Sequence, residues 1–313
     1  MDFLQTLNST LPVLLIILLG FVINRVKLLK PDTIQDMKSL VVNITLPLVL
    51  FKAFGTMTFQ ARYLVIVGVV FLACLLVMSL SAKLRNVPGL RSKYASFLMA
   101  GFEAGMLGYA VFGSIFGESN IPVFAVIDLG QVLFVFFVLV TRLQALEGKQ
   151  QSLQDTFINF LKTPVIIAII GGILFNVSGA YGYLESVLLG QTVFTAMNTV
   201  AGLTTPLVAI VIGYGLNFKP GRVFPAVQTV ILRLVVWLSL ALLVNQFIIR
   251  QWFHLDSIFE AAVLLMFILP APFVIPLYSK SSDEAEQDYI LNTLSIGTIA
   301  ALIGVVVIRL IYV

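Results

Sequence analysis

The chain has 313 residues, of which 59% are hydrophobic and 11% are charged, and its net charge is +4. A soluble domain carries about 25% charged residues, so this composition excludes a water-soluble globular protein and indicates a polytopic membrane protein. Several apolar runs reach the roughly 18 residues of a membrane helix, whereas barrel strands would be about 10 residues of alternating polarity. The excess of basic residues is typical of a membrane topology signal, and we expect no nucleic-acid partner.

The small numbers of some residue types exclude several kinds of site. Cys74 is the only cysteine, so the chain forms no internal disulfide and no thiolate metal cluster. His254 is the only histidine, which excludes HExxH zinc sites. No glycine-rich phosphate loop is present. We therefore expect no metal, no cofactor, no enzymatic activity and no ATP-driven transport by this chain alone.

The apolar runs predict an all-α protein with ten transmembrane helices, each of about 17–25 residues. The predicted spans lie near residues 11–28, 37–57, 63–82, 94–117, 122–141, 163–180, 190–216, 223–249, 257–278 and 289–311. Residues 1–10 carry no basic side chain, so we expect the first helix to be a retained span and not a signal peptide.

The basic residues predict the orientation of the chain. Most of the 19 lysines and arginines fall in or beside the loops after the first, third, fifth, seventh and ninth spans. Examples from the five loops are Lys27, Arg85, Lys149, Lys219 and Lys280. Because positive loops stay in the cytoplasm, we expect both termini outside a cell membrane, the inner membrane in a bacterium.

The two halves of the chain, residues 1–150 and 151–313, resemble each other. Thr45-Leu46-Pro47-Leu48-Val49 in the second span corresponds to Thr204-Thr205-Pro206-Leu207-Val208 in the seventh. Five spans per half is an odd number, so the second half must be inserted upside down relative to the first. Inverted repeats are typical of secondary transporters, whose substrate sites lie near mid-membrane where the halves meet.

Two predicted spans contain helix-breaking residues at corresponding places. The fourth span is rich in glycine from Gly101 to Gly113, and the ninth contains Pro270, Pro272 and Pro276. Non-helical backbone is tolerated at membrane depth only where it is covered by protein or faces a watery cavity. We therefore predict that both helices are unwound, near residues 105–108 and 270–272, and that they cross mid-membrane.

The chain resembles the auxin efflux carrier family, the PIN-like group that includes bacterial permeases for malate or malonate. The resemblance depends on Asn43-Ile44-Thr45-Leu46-Pro47, Glu103-Ala104-Gly105-Met106-Leu107-Gly108, and Pro270-Ala271-Pro272 followed by Tyr278. It implies two inverted five-helix repeats with broken fourth and ninth helices at the substrate. The family pattern has asparagine at the position of Glu103, and proline where this chain has Tyr109 and Ala110.

Ionisable side chains inside the predicted spans are candidates for function, because burying them in a membrane is costly. Glu103 is expected to carry a proton, to coordinate sodium, or to pair with Arg233. Arg233 is expected to pair with Glu103 or Asp128, or to bind a substrate carboxylate. Asn43, Thr45, Asn198 and Thr204 are expected either to line a cavity or to bond between helices. We assign to substrate binding Asn43, Thr45, Glu103, Gly105, Gly108, Arg233, Pro270 and Pro272. We assign to ion coupling Glu103, Asp128 and Gln131.

These features together predict a secondary transporter of a small organic anion of carboxylate type, working by alternating access. Symport with a proton or sodium ion is left open. The expected partners are the substrate, the lipid bilayer and a second copy in a homodimer. A membrane sensor with a transporter fold is the alternative. An intramembrane hydrolase is disfavoured, since only Asp128 of the aspartates lies within a predicted span and His254 lies in a loop.

Overall fold

The computed structural model describes residues 3–148, 152–279 and 283–312, and every regular element in these ranges is a helix. Lys149, Lys280 and the predicted boundary between the halves, at residues 150 and 151, lie outside the described residues. The first half contains α1 (Phe3–Arg25), α2 (Pro31–Leu40), α3 (Leu46–Thr56), α4 (Tyr63–Lys83), α5 (Ala95–Met99), α6 (Tyr109–Phe116), α7 (Ile121–Phe134) and α8 (Val140–Leu146). Short turns complete it, π-helical at Val41–Thr45, Ala104–Gly108 and Val135–Leu139 and 3₁₀ at Glu118–Asn120.

The second half contains α9 (Leu153–Leu161), α10 (Pro164–Val177), α11 (Ala180–Ser186), α12 (Leu188–Ala201), α13 (Thr204–Gly215), α14 (Val223–Leu243), α15 (Ser257–Ile268), α16 (Ile275–Tyr278) and α17 (Glu284–Tyr312). A π-helical segment, Val244–Trp252, extends α14. Proline occupies one of the first two positions of α2, α3, α7, α10 and α16. The missing N–H of proline breaks no intrahelical bond at the start of a helix. Pro47 differs from the others, because it lies inside the continuous helical stretch Pro31–Thr56.

Seven stretches are long and apolar enough to cross a membrane: Pro31–Thr56, Tyr63–Lys83, Ala95–Phe116, Glu118–Leu146, Leu188–Gly215, Val223–Trp252 and Glu284–Tyr312. An eighth candidate is the pair α9 and α10, which is bent by 64° at the break between them. Two shorter apolar helices, Leu11–Arg25 and Ser257–Ile268, occupy the places of the first and ninth predicted spans. The described part of the chain is thus all-helical and has seven or eight candidate spans.

The broken fourth and ninth segments form the centre of the fold. Residues from α5 to α6 are almost wholly buried, and α15 is buried from Phe259 to Ile268. The outer helices, by contrast, expose large apolar side chains, for example Leu72 on α4 and Leu174 on α10. Apolar surfaces of this kind are expected on helices that face lipid. The interior therefore surrounds the two breaks.

Glycines let helices of opposite halves approach each other closely. A Cβ atom on Gly20 of α1 would lie 2.2 Å from the carbonyl oxygen of Ile210 on α13. A Cβ atom on Gly172 of α10 would lie 2.6 Å from the carbonyl oxygen of Phe51 on α3. Small residues at such contacts allow backbones to pack directly in membrane proteins. Helix α1 thus packs on α13, and α10 packs on α3.

Candidate functional site

The fourth span is interrupted by non-helical backbone at residues 100–103, between α5 and the turn Ala104–Gly108. The sequence placed this break at residues 105–108, which is wrong, because those residues form the π-helical turn. Gly101 adopts a φ of +71°, a left-handed conformation that favours glycine. The chain leaves the helix at Ala100, directly before the first glycine of the run.

The ninth span is interrupted at residues 269–272, where the prolines predict the break. α15 ends at Ile268, and Leu269 is extended with a ψ of 150°, as expected for a residue that precedes proline. The short helix α16 follows from Ile275. Pro272 packs on the other break, since a Cβ atom on Gly101 would lie 2.9 Å from its Cγ atom.

Glu103 joins the two breaks. Its backbone N–H donates to the carbonyl oxygen of Pro270 at 2.9 Å. Its carboxylate accepts two backbone hydrogen bonds, to Oε1 from Met106 N at 3.0 Å and to Oε2 from Phe273 N at 2.6 Å. The side chain is only 8% exposed, and a buried carboxylate needs partners of this kind. Glu103 therefore bonds both to its own span and to the ninth.

Arg233 of α14 binds backbone carbonyl oxygens at both breaks. Its guanidinium donates to the carbonyl oxygens of Leu98 at 2.9 Å and Leu269 at 3.1 Å, and to that of Gly101. One turn further, Trp237 Nε1 donates to Met99 O at 2.8 Å. These carbonyls lose their helical partners at the breaks and lie away from water, so they require other donors.

The structure brings Arg233 together with backbone carbonyls and not with the partners considered from the sequence. The guanidinium pairs with neither Glu103 nor Asp128 among the described residues, and it does not line the cavity described below. It is 3% exposed and stacks on the ring of Phe102 at 5.1 Å. The guanidinium therefore binds carbonyl oxygens freed at the breaks, and not a carboxylate.

A cavity of about 730 Å³ lies beside the two breaks. The charged side chains among its described lining residues are those of Lys38, Glu103 and Asp128. Its neutral polar lining comprises Gln35, Ser39, Asn43, Tyr109, Gln131, Thr141, Gln144, Thr156, Asn159, Thr163 and Tyr278. The remaining lining is mostly apolar, so the cavity suits a small solute with a few polar groups.

Asp128 and Gln131 form a hydrogen-bonded network next to Glu103. Tyr109 Oη donates to Asp128 Oδ2 at 2.8 Å, and Gln131 Nε2 donates to Asp128 Oδ1 at 2.9 Å. Gln131 Oε1 accepts from the backbone N–H of Phe102 at 3.2 Å. Asp128 is thus linked through Gln131 to the break that carries Glu103.

The remaining candidates separate into two groups. Asn43, Gly105 and Pro272 line the cavity. Thr45, Gly108 and Pro270 do not line it in the described structure.

The second group has structural positions. Thr45 is fully buried and its hydroxyl has no hydrogen-bond partner among the described residues. A Cβ atom on Gly108 would lie 2.6 Å from Phe124, so this glycine makes room for an aromatic ring. Pro270 supplies the carbonyl that Glu103 N binds.

Three residues of the site were missed from the sequence. Lys38 was treated only as a topology signal near the start of the second span. Tyr109 was noted only as a departure from the family pattern, although a hydroxyl six residues from an intramembrane acid was a usable signal. Phe273 contributes its backbone N–H, which no side-chain pattern can reveal.

Comparison with known proteins supports a transporter. The chain is 23% identical over 229 residues to a protein of Methanothermobacter thermautotrophicus named as an uncharacterized transporter, covering 70% of each chain. No family model matches the chain. The relative and the helical fold with its apolar spans together fit a membrane-embedded transporter.

Proposed function

We propose that the protein is a secondary transporter of a small organic anion of carboxylate type, with ten spans in two inverted halves that work by alternating access. The observation that carries the proposal is the Glu103 carboxylate, which is bonded to both helix breaks at the wall of the cavity. A substrate in that cavity touches the two segments whose relative movement would expose it to either side.

Reciprocal contacts support the inverted relationship of the halves. Gly20 of α1 packs on α13, and Gly172 of α10 packs on α3. Asn24 near the end of α1 donates to Tyr214 O at 2.7 Å. Asn176 near the end of α10 donates in the same way to the chain at the end of α3, to Met57 O at 2.6 Å. A two-fold relation between the halves converts the contacts of α1 with α13 into those of α10 with α3.

The position of the cavity supports an inward-facing state. Its lining extends to the start of the second span, the start of α10 and the end of α8. These chain ends adjoin the loops that the basic residues assign to the cytoplasm. Single cysteines at the exposed positions Asn86 and Glu118, in a Cys74→Ser background, test the orientation. We expect an impermeant maleimide to label intact cells at position 118 and not at position 86.

Charge in the cavity supports coupling to a cation. If both acids were ionised, Lys38 alone would face two carboxylates and the substrate. Burying an additional unpaired anion there costs several kcal/mol. Burial favours the neutral form of a carboxyl group, so a proton bound by Glu103 relieves the repulsion when the substrate enters.

The hydrogen bonds of the backbone at the two breaks favour a proton over sodium as the coupling ion. Sodium sites at broken helices use carbonyl oxygens that have lost their helical partners. Here Arg233 and Trp237 bind those of Leu98, Met99 and Leu269, and Glu103 N binds that of Pro270. Among the described residues, these carbonyls are already engaged.

Uptake by the purified protein in liposomes tests the proposal. We expect saturable uptake of radiolabelled carboxylates, with malate and malonate as the first compounds because the resemblance implies them. Protein-free liposomes give the background. Transport of a neutral or cationic solute but of no carboxylate in a wider panel would contradict the proposed substrate class.

A further inference from the structure

Arg309 is a buried cation near the end of α17 that the predicted orientation places outside. The residue is only 7% exposed, so it does not extend its charge to the protein surface. Its hydrogen bond to the carbonyl oxygen of Ile115 is long, at 3.5 Å, and its Nε atom has no partner among the described residues. None of the ion pairs in the described part of the chain includes it. Because a buried charge without a partner is costly, Arg309 is a candidate for binding an anion.

A small pocket lies next to Arg309, between α1, α6 and α17. Its volume is about 10 Å³, roughly the space of one water molecule. Its lining includes Val13 of α1, Ile115 of α6, and Leu302, Val305 and Val306 of α17. Arg309 follows Val305 and Val306 by one helical turn, so the three side chains share one face of α17. We call this space the outer pocket.

The sequence repeat relates the outer pocket to the open cavity beside the breaks. Pro12-Val13 of α1 repeats Pro164-Val165 of α10. Val13 lines the outer pocket, and Val165 lines the cavity of about 730 Å³. In an inverted repeat, matching walls of the two halves face opposite sides of the membrane. Under the proposed repeat, the outer pocket is therefore the closed counterpart of the open cavity.

The arginine has a counterpart as well. Arg309-Leu310 repeats Arg142-Leu143 at the end of the first half, and in the same register Leu302 corresponds to Val135. Val135 lines the open cavity, as does Thr141 directly before Arg142. Arg142 is exposed on that open side, whereas Arg309 is buried on the closed side. The two arginines thus differ as expected for one position on the open and on the closed side of a transporter.

We propose that Arg309 binds the substrate carboxylate at the outer mouth, when the outer pocket opens in the outward-facing state. This inference rests on the proposed function, because it needs an anionic substrate and alternating access. A guanidinium matches a carboxylate with parallel N–H donors, and the Nε donor of Arg309 is free for such a contact. A ligand shifts an equilibrium toward the state that binds it better, so an anion outside favours opening of the outer pocket.

Reaction rates of an engineered cysteine measure this charge without any substrate. Cys74 is the only cysteine, so Val306→Cys is made in a Cys74→Ser background. Val307→Cys is the matched control, because Val307 is 51% exposed on the adjoining side of α17 that suits lipid. Impermeant methanethiosulfonates, one anionic and one cationic, are added to intact cells.

We expect both reagents to react at position 306 and neither to react at position 307. Arg309→Gln should lower the ratio of the anionic to the cationic rate at position 306 at least about fivefold, because the nearby positive charge is removed. No reaction at position 306 would overturn the proposal, since the outer pocket would then stay closed. A ratio that Arg309→Gln leaves unchanged would overturn it as well.

Uptake of radiolabelled malate, or of another carboxylate that the liposomes take up, tests the binding step. In right-side-out vesicles we expect Arg309→Gln to raise the KM at least about tenfold, as loss of a charged hydrogen bond predicts. Arg309→Lys retains the charge, so its increase should be smaller. Lys52→Gln, which removes an exposed cation outside the cavity lining, should leave the KM unchanged.

Inside-out vesicles and melting temperatures separate binding from a structural role. The KM for substrate added at the cytoplasmic face should change less than about twofold in Arg309→Gln, because that face is lined by other residues. Equal increases at the two faces, or an unchanged KM with a lower melting temperature, would overturn the role of Arg309 alone. Failure of the unsubstituted protein to transport any carboxylate would contradict the proposed function, and this binding role with it.

Discussion

The Glu103 carboxylate accepts a hydrogen bond from the backbone N–H of Phe273 at 2.6 Å, 170 residues further along the chain. This bond connects the break of the fourth span to the break of the ninth. Removing it is expected to loosen the contact between the breaks without unfolding either helix.

Arg233 is expected to be required for stability and not for charge pairing with Glu103. Arg233→Leu leaves the carbonyls of Leu98, Gly101 and Leu269 without donors, and each unsatisfied carbonyl costs about 1–3 kcal/mol. We expect a large fall in melting temperature in detergent. Arg85→Leu, in an exposed loop, is the control and should change it little.

The double variant Glu103→Gln with Arg233→Leu distinguishes this account from an ion pair. If Arg233 neutralised Glu103, removing both charges would restore part of the lost stability. We expect no restoration, since the three carbonyls remain unsatisfied in the double variant. A melting temperature above that of Arg233→Leu alone would show that the pair exists.

The close helix contacts between the halves are expected to tolerate no added methyl group. Gly20→Ala and Gly172→Ala would place a Cβ atom 2.2 and 2.6 Å from backbone oxygens, so the helices must separate. Overpacking of this kind costs about 1–3 kcal/mol. Gly68→Ala is the matched control, because a Cβ atom there meets nothing within 4 Å. Equal melting temperatures for all three variants would contradict the packing.

Sequence alone predicted much of this arrangement and missed what depends on backbone contacts. Apolar length was sufficient to predict a helical membrane protein, which has seven or eight candidate spans among the described residues, and the prolines predicted the break at residues 270–272. The break at residues 100–103 was misplaced, since glycine content shows where a helix can end but not where donors exist for its freed carbonyls. Arg233 and Trp237 supply those donors from a distant helix. The backbone partners of Arg233 could not be predicted from the sequence for the same reason.

Tyr109 is expected to influence uptake through Asp128. Tyr109→Phe removes the donor to Asp128 Oδ2, a bond worth about 1.5–3 kcal/mol when the acceptor is charged. The charged form of Asp128 is then less stabilised, so half-maximal uptake should move to higher pH. Tyr183→Phe, at a residue 69% exposed, is the control. An identical pH profile for the two variants would exclude Asp128 from the coupled step.

Lys38 is expected to attract the anionic substrate, because it is the cation among the described lining residues of the cavity. Lys38→Gln should raise the KM for a carboxylate, with little change in kcat if the contact is made equally in all states. The increase should shrink at high salt, which screens charges near the mouth of a cavity. Lys52→Gln, at a residue paired with Glu118 at 3.6 Å and outside the cavity lining, should leave KM unchanged.

Uptake of a carboxylate against pH in liposomes, for the unsubstituted protein and for Glu103→Gln, tests the central claim most directly. One proton carried per monoanion accumulates the substrate about tenfold per unit of pH gradient. Glu103→Gln retains the shape of the side chain but binds no proton, so it should lose this accumulation while still exchanging substrate across the membrane. The exposed control Glu118→Gln should behave like the unsubstituted protein. Accumulation by Glu103→Gln that follows the pH gradient as before would contradict the role of Glu103 in coupling.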